Sequence, residues 1–461
     1  MKISLSKPLF AWDELQDSPS LQTIGTFLEA IPDAALLDSL HQARGHGRDD
    51  YPVHVLWGTL LLAIGLRHHS LEACLEELQR NAALRMLIDI ESENRVPHAH
   101  NMSRFLATLG EEPHLSHLRQ VFDVMVKRLG VAVPDLGKDT AGDSTGLAGR
   151  AAASAELRQA ESKQGLPQPS GGRKEYKDDD GKITKVVEWF GYKLHLLVDV
   201  KHEVVLSYHI TDTKTGDNEM IADLLAQAKK NLPTDRVKTM AYDKAADDGK
   251  VHELLHEEKV RPLIQNRTFK VEEQEKVLGG RTPLHIVHDQ AGTIFCYDRV
   301  SEPPVRHPMA YIGHESERGT LKYRCPARHQ GWECPSAEIC NGARDYGLTV
   351  RVPQALDLRR FPSIPRATKQ FERLYKGRTA VERVNARLKI FWGIDDGQVY
   401  GSRRFHAHVG AVLLVHLAFA TVLAQADRSG GSYGTMRLSP IARKLRELMK
   451  DSPAESETKS A

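Results

Sequence analysis

The chain has 461 residues, of which 41% are hydrophobic and 27% charged, enough apolar material for two or three soluble cores. Its 63 Lys and Arg residues against 61 Asp and Glu residues leave a net charge of +2, which excludes a strongly basic or strongly acidic protein. Residues 1–8 lack the apolar core of a signal peptide, so we expect a cytoplasmic protein.

The N-terminal region, up to about Gly130, is predicted to be helical, and it shows no pattern of catalytic carboxylates. Ser70 is expected to be the N-cap of one of its helices. Apolar periodicity predicts helices over Val55–Leu66, Leu71–Arg80, Ala82–Ile88 and Asn101–Leu109.

Two later segments each place an Asp in or after a strand. The first is Ala141–Leu147, A-G-D-S-T-G-L, which is followed by the aromatic and β-branched run Glu188–Val200. In the second, the strand within Val237–Lys244 ends at Asp243. A helix over Lys250–Glu258 and a strand over Val260–Arg267 come next. The order of strand, Asp, helix and strand is typical of an α/β sheet.

Two stretches interrupt this pattern. Residues 149–183 are rich in small and polar side chains, and we expect a mobile loop, partly helical near Ala151–Gln164. A further 139 residues separate Asp243 from Glu382, too many for one strand–helix connection. The excess predicts an inserted subdomain over residues 268–350, with strands at Thr293–Tyr297 and Leu321–Arg324.

Four of the five cysteines fall inside this insertion. Cys325, His329, Cys334 and Cys340 are candidate Zn²⁺ ligands, with Cys296 as the alternative to His329. The spacing C-x8-C-x5-C is not a common zinc pattern, so ordinary buried thiols remain the competing interpretation.

A chemically unusual stripe follows the insertion. At 100° per helical residue, Tyr375, Arg378, Glu382 and Lys389 fall on one narrow face of a helix predicted over Leu374–Ile390. The competing interpretation is a solvated helix face on which Arg378 and Glu382 form an i, i+4 pair.

The sequence around this stripe is locally basic. Residues 359–404 contain 12 Lys and Arg against four Asp and Glu, an excess of eight positive charges. Such a block suits a phosphate backbone, although a solvated basic face would have the same composition. The apolar run Val409–Ala426 is long enough to span a bilayer, but His416 interrupts it. We therefore expect a buried final helix and no membrane partner.

The spacing Y-x2-R-x3-E-x6-K at Tyr375–Lys389 resembles the YREK motif of DDE transposases from bacterial insertion sequences. The resemblance implies an α/β fold: an RNase H-like core, a mixed sheet flanked by helices, with an inserted subdomain and an all-α N-terminal domain. It also implies a catalytic site in which Asp143, Asp243 and Glu382 bind Mg²⁺ or Mn²⁺.

Two positions leave alternatives open under this resemblance. Asp139 in G-K-D-T is the rival of Asp143. The family's D-K-x-Y-D pattern lacks its Tyr here, so Asp247 or Asp248 could be confused with Asp243. Asp217 also matches a family position, but we expect it to cap the helix Glu219–Lys229.

The resemblance further implies double-stranded DNA as the partner, both as terminal inverted repeats and as target, bound by a homodimer. The protein would then be associated with the bacterial nucleoid. The N-terminal region would recognise the terminal repeat, or else serve in dimerisation and packing. Basic and aromatic side chains expected to contact DNA are Tyr375, Arg378, Lys389, Arg403, Arg404, Arg67 and Arg104.

The expected organisation has five parts: helical residues 1–130, the first part of the core over 131–267, the insertion over 268–350, the rest of the core over 351–426, and a flexible tail over 427–461. The expected activity is metal-dependent cleavage at transposon ends and transfer of the 3′-hydroxyl into target DNA. The alternatives are an RNase H-like nuclease without strand transfer and a catalytically idle, domesticated DNA-binding protein.

Overall fold

The computed structural model describes residues 19–45, 50–178, 182–267, 275–279, 282–395, 399–426 and 432–434. The predicted tail, residues 427–461, lies outside this described part except for 432–434. The first residues of the predicted insertion, 268–274, also lie outside it.

The described residues of the N-terminal region form helices and no strands. Ser70 caps its helix by accepting a hydrogen bond from the Ala73 backbone N–H at 3.1 Å. The helices are α1 (Pro19–Glu29), α2 (Ala34–Arg44), α3 (Val53–Gly65), α4 (Leu71–Arg80), α5 (Ala82–Met86), α6 (Ala99–Leu109) and α7 (His114–Ala132).

A six-stranded mixed sheet follows, and β1 (Asp139–Ala148) lies in its middle. Strand β1 pairs antiparallel with β3 and parallel with β5, and β5 pairs parallel with β6. The first half of β3 pairs with β2 and the second half with β4, both antiparallel. The remaining strands of this sheet are β2 (Ser170–Lys177), β3 (Ile183–Asp199), β4 (Val205–Thr211), β5 (Thr239–Tyr242) and β6 (Arg261–Ile264).

The expected loop over residues 149–183 contains regular structure. It forms helix α8 (Ala155–Lys163), within the range where partial helix was expected, and then strand β2. The prediction missed β2 because Ser170–Lys177 has no apolar alternation. The strand exists because its backbone pairs with β3, where Trp189 lies over Gly172; a Cβ there would come within 2.4 Å of the ring.

Helices α9 (Asp217–Asn231) and α10 (Gly249–Glu257) connect the later strands of the core. The insertion forms two small sheets with their own hydrophobic cluster. The predicted boundary at 350 falls inside β13, whose pairing with β12 continues to Pro353, and the buried Phe361 belongs to the same cluster. Its elements are β7 (Lys276–Val277), β8 (Ile286–His288), β9 (Ile294–Tyr297), β10 (Arg306–Pro308), β11 (Ala310–Glu315), β12 (Thr320–Arg324), α11 (Pro326–Gln330), α12 (Ala337–Asn341) and β13 (Thr349–Pro353).

Three helices complete the described chain: α13 (Lys369–Tyr375), α14 (Thr379–Ile390) and α15 (Ser402–Ala426). Helix α15 is apolar and long enough to cross a membrane, but 83% of its apolar window is buried inside the protein. It packs against α1, α3, α6, α7 and β4, so that the N-terminal helices and the sheet share one core. His416 fits this core because its Nε2 accepts a hydrogen bond from the Val205 N–H at 3.1 Å.

Candidate active site

The register of two parallel strands places Asp143 beside Asp243. Asp139 pairs with Thr239, and the pairing continues to Ala141 and Ala241. Asp143 and Asp243 each lie two residues beyond this last pair, at matching positions on strands that are about 4.8 Å apart. Since side chains alternate between the two faces of a sheet, the two carboxylates lie on the same face.

Gly142, next to Asp143, leaves room for the ring of Tyr242, next to Asp243. A Cβ on Gly142 would lie 2.1 Å from the ring of Tyr242, so only glycine leaves space for the ring across β1. Tyr242 is buried, and burial together with Asp217, Asp143 and Asp243 raises the pKa of its phenol well above the ordinary value. The phenol therefore keeps its proton beside these carboxylates.

The carboxyl group of Asp143 is held in a poorly solvated place. Burial raises its pKa from 3.8 to about 6, and the neighbouring Asp217 and Asp243 add to this effect. A hydrogen bond from the Ser144 backbone and the charge of Lys174 act in the opposite direction. A buried carboxyl group with a raised pKa beside other carboxylates is typical of a functional site.

Asp217 faces this site instead of capping its helix, which corrects the sequence prediction. The N-cap of α9 is Gly216, and Asp217 is the first helical residue. Its carboxylate accepts a hydrogen bond from Ser144 Oγ at 2.6 Å and forms an ion pair with Lys193 at 2.8 Å. His195 Nδ1 lies 3.6 Å away. Sequence reasoning gave Lys193 and His195 no role, although both belong to the aromatic and β-branched run after Asp143.

Asp139, the rival of Asp143, lies at the opposite end of β1. Its Oδ1 accepts a hydrogen bond from Thr239 Oγ1 at 2.7 Å. Four residues of strand put it about 13 Å from Asp143 along the chain. Asp247, the alternative to Asp243, also has other partners. Its buried carboxylate forms ion pairs with Arg359 at 2.8 Å and Arg366 at 2.9 Å.

The sequence predicted that the stripe around Glu382 lies on one continuous helix. In the structure the stripe is divided between two helices. Helix α13 ends at Tyr375, and a 3₁₀ turn over Lys376–Arg378 precedes α14. Gly377 lies in this turn, where a Cβ would come within 2.6 Å of Val200 Cγ1. Each residue of a 3₁₀ turn rotates the chain by about 120°, compared with about 100° in an α-helix. Over the three residues of this turn the difference adds up to about 60°, which moves Tyr375 away from the predicted stripe.

Arg378 still links the members of the stripe near the two aspartates. Its Nη2 lies 2.8 Å from Glu382 Oε1, and its guanidinium carbon lies 5.9 Å from the centre of the Tyr375 ring. Burial, followed by the charges of Asp243 and Glu382, raises the pKa of Tyr375, while Arg378 lowers it. The i, i+4 pair is therefore present, and it lies within electrostatic reach of the aspartates.

Lys389 joins the far end of α14 to β1. Its Nζ donates to the Gly146 carbonyl at 2.5 Å and lies 3.1 Å from Asp395 Oδ2. The other oxygen of Asp395 accepts a hydrogen bond from the Ala148 backbone N–H. Lys389 thus fixes the helix that carries Glu382 onto the strand that carries Asp143.

Three of the residues expected to contact DNA, Arg67, Lys389 and Arg404, line one cleft of about 600 Å³ between the N-terminal helices and α14. The walls also include the aromatic rings of Phe391, Trp392 and Tyr400. Arg67 Nε donates to the Phe391 carbonyl at 3.1 Å, and Arg404 Nε donates to the Ser103 carbonyl at 2.9 Å. The guanidinium groups are therefore held at the cleft by backbone carbonyls.

The other two arginines of the DNA-binding prediction lie apart from the site. Arg403 forms hydrogen bonds within the protein, with Glu111 at 2.6 Å and Gln164 at 3.0 Å, whereas Arg104 is exposed on α6.

Most cations of the basic block, residues 359–404, form ion pairs within the protein. The block is therefore neither a free cationic surface nor merely a solvated face. Pairs with acidic side chains are made by Arg359, Arg360, Arg366, Lys376, Arg378, Arg383, Arg387, Lys389 and Arg403.

The donor set at β1 and β5 consists of oxygen ligands. Carboxylates suit hard divalent ions such as Mg²⁺, whereas thiolate or imidazole sets suit softer metals. Within the described residues, no three His, Cys, Asp or Glu side chains are yet arranged closely enough to hold one ion. Glu382 in particular is turned toward Arg378.

Comparison with known proteins gives the family. A family model described as "Transposase DDE domain" matches residues 159–418, more than half of the chain. A second, "Transposase domain (DUF772)", matches residues 12–108. The first match includes Asp243 and Glu382 and begins 16 residues after Asp143. No curated protein matches the chain.

Among solved structures, the chain is similar to one described as "Cryo-EM structure of piggyBac transposase synaptic complex with hairpin DNA". The identity is 11%, the alignment covers 96% of this chain and 84% of that chain, and the TM-score is 0.39. Such a likeness does not establish a shared fold. The two family matches do establish the family: the chain belongs to the DDE transposases of the insertion-sequence type, and it is a DNA transposase that cleaves DNA and transfers the cut strand.

Proposed function

We propose that this transposase belongs to the YREK branch and that Asp143, Asp243 and Glu382 form its catalytic site on an RNase H-like core. The observation that carries the proposal is the matched position of Asp143 and Asp243 on neighbouring parallel strands. Helix α14, which bears Glu382, packs across β1 and β3, and the preceding turn packs on β1 and β5. These contacts bring the helix that carries Glu382 against the strand that carries Asp143, although the two residues are 239 positions apart in the chain, and they support the proposed site.

The sheet layout supports an RNase H-like core. Strands β4, β3 and β1 are antiparallel neighbours, and β5 and β6 then continue parallel to β1. This is a mixed sheet of three antiparallel strands extended by two parallel ones. Its first two acids lie on the central strand and at the carboxyl end of β5, where ligands commonly bind in open α/β sheets.

Members of this family depend on divalent metal ions. We propose Mg²⁺, with Mn²⁺ as a substitute, held by Asp143, Asp243 and Glu382. A bound pair of such ions supplies activation of the attacking water or 3′-hydroxyl and stabilises the leaving oxygen. Lys193 and Ser144 hold Asp217 beside this set, where its carboxylate adds negative charge near Asp143.

Arg378 is proposed to exchange partners when DNA arrives. Its guanidinium now pairs with Glu382, whose side chain is 49% exposed. A planar guanidinium can grip two phosphate oxygens, and a phosphate of the transposon end would compete for it. Glu382 would then be released toward the aspartates, which couples end binding to completion of the metal site.

The cleft lined by Arg67, Lys389 and Arg404 is proposed to receive the DNA backbone of the transposon end. Its cationic rim and aromatic walls match a polyanion with stacked bases. The N-terminal helices form one side of this cleft and share the core around α15. Their role in end recognition is therefore proposed together with a packing role.

We also propose that the active species is a homodimer on two ends, acting at the nucleoid in the cytoplasm. The test is a strand-transfer assay with labelled end duplexes, a plasmid target and Mg²⁺, combined with measurement of the mass of the end complex. Joined product and two chains per complex are expected. End nicking without any joining, or one chain per complex, would contradict the corresponding part of the proposal.

A further inference from the structure

Four thiols that are distant in sequence meet at one small cavity in the insertion. Cys296 lies on β9, Cys325 follows β12, Cys334 lies in the loop after α11, and Cys340 lies on α12. All four line the same cavity of about 20 Å³. That is about the space of one water molecule, which is larger than a bare divalent metal ion.

Polar side chains around the cavity contact two of the thiols. Cys340 Sγ lies 3.6 Å from His285 Nε2, and Asn341 Nδ2 donates to Cys325 Sγ at 3.9 Å. Cys296 lies close enough to each of the other three thiols to interact with them electrostatically. His329 is exposed on α11 and does not line the cavity, so the structure does not bring this predicted ligand to the thiols.

The two sheets of the insertion share a small hydrophobic cluster. This cluster contains only eight buried residues among those described. Small cores of this kind commonly rely on disulfides or a metal. All five cysteines of the chain are free thiols. A link among these four would tie β9 of one sheet to the end of β12 in the other and to α12.

We infer that the insertion binds one structural Zn²⁺ through Cys296, Cys325, Cys334 and Cys340. Four thiolates make a closed tetrahedral site, which leaves no open position for catalysis. Because no three ligating side chains of the described residues yet surround a common point, binding draws the thiols inward to about 2.3 Å from the metal. Each thiol that binds releases its proton, and the contact between His285 and Cys340 orients this thiol from outside the ligand set.

The competing explanation is four inert thiols, one buried and three partly buried, that pack as small apolar groups. The two explanations differ in metal content and in thiol reactivity, and neither readout depends on DNA cleavage. A failure of this inference is therefore distinguishable from a failure of the proposed catalytic site.

The test begins with zinc analysis of the purified full-length chain, for which one Zn²⁺ per chain is expected. Cys296→Ser and Cys334→Ser should each lower the zinc content at least severalfold, whereas His329→Ala and Cys74→Ser should leave one zinc. Zinc loss in His329→Ala with retention in Cys296→Ser would overturn the ligand set.

Variants at these positions can also fail to fold, so wild-type protein supplies a second measurement. Alkylation followed by mass spectrometry should show the four thiols protected as purified and modified after a strong chelator, while Cys74 does not change. Restored protection on adding Zn²⁺ alone is expected. A chain without zinc whose four thiols react equally with and without chelator would overturn the inference.

Discussion

Asp143 on β1 and Asp243 after β5 occupy matching positions, because each lies two residues beyond the last parallel pair of the two strands, Ala141 and Ala241. A shift of one residue in this pairing would put one carboxylate on the opposite face of the sheet. In the proposed site, the register of β1 and β5 is therefore a condition of catalysis as well as of folding.

Gly142→Ala should disturb this register. The added Cβ would meet the Tyr242 ring at 2.1 Å, in a buried place where overpacking costs about 1–3 kcal/mol. We expect lower unfolding free energy in urea and loss of cleavage. Gly171→Ala on β2 is the matched control, since a Cβ added at Gly171 would have nothing within 4 Å. Equal effects of the two substitutions would count against the tight packing of Tyr242 on β1.

Metal binding should depend on pH through Asp143. Its pKa in the folded protein is about 6 and ordinarily 3.8, so between these values the folded chain holds more protons than the unfolded chain. The stability of the metal-free protein should therefore fall as pH rises through this window. A divalent ion competes with the same proton, and its affinity should rise with pH up to about 6 and then level off.

The measurement is the shift in melting temperature caused by Mn²⁺ at pH 5 and at pH 7.5. A larger shift at pH 7.5 is expected for wild type, and Asp143→Asn should abolish most of it. A wild-type shift that is the same at both pH values would contradict this assignment of Asp143.

Glu203 should be a positioning residue for the catalytic helix. Its carboxylate is buried and pairs with Arg383 at 2.6 Å and with Arg387, both on α14. Glu203→Ala leaves the half-buried cations unpaired and should cost about 1–3 kcal/mol of unfolding free energy. Glu372→Ala, which removes an exposed i, i+4 pair with Lys376, should cost only about 0.2–0.5 kcal/mol. Equal costs in urea titrations would show that Glu203 does not anchor α14.

The sequence allowed several elements to be predicted, but not how they pack together. Helix α4 with Ser70, strand β5 before Asp243 and the buried α15 follow local rules of capping and apolar pattern. Strand β2 could not be predicted, because the pairing with β3 that supports it is a tertiary relationship. The 3₁₀ turn at Gly377 depends on contact with Val200, and the position of Asp217 depends on Lys193, which are both tertiary relationships.

The ion pairs of the basic block could not be predicted either, because they too are tertiary relationships. Local composition counts Arg359, Arg366 and Arg387 as positive charge, but their partners Asp247 and Glu203 lie more than 100 residues earlier in the chain. The net charge of a segment therefore overstated the surface available to phosphate.

Arg378 and Lys389 should differ in how they affect DNA binding. Arg378→Ala frees Glu382 and removes a phosphate ligand, so the log–log salt slope of end binding should fall by roughly one unit while stability changes little. Lys389→Ala also breaks the link to Gly146 and Asp395 and should lower the unfolding free energy as well. Lys376→Ala, in the same turn and exposed, is the control. Unchanged salt slopes in both variants would show that Arg378 and Lys389 do not bind phosphate and that the stripe is an ordinary charged helix face.

The most direct test of the catalytic site is cleavage of a labelled end duplex with Mg²⁺ by Asp143→Asn, Asp243→Asn, Glu382→Gln and Asp139→Asn, with end binding measured on the same samples. The first three variants should bind the end but lose cleavage by several orders of magnitude, because the three acids act as one unit. Asp139→Asn should cleave at a rate close to wild type. Cleavage retained in Asp143→Asn or Glu382→Gln, or lost in Asp139→Asn alone, would contradict the proposed site.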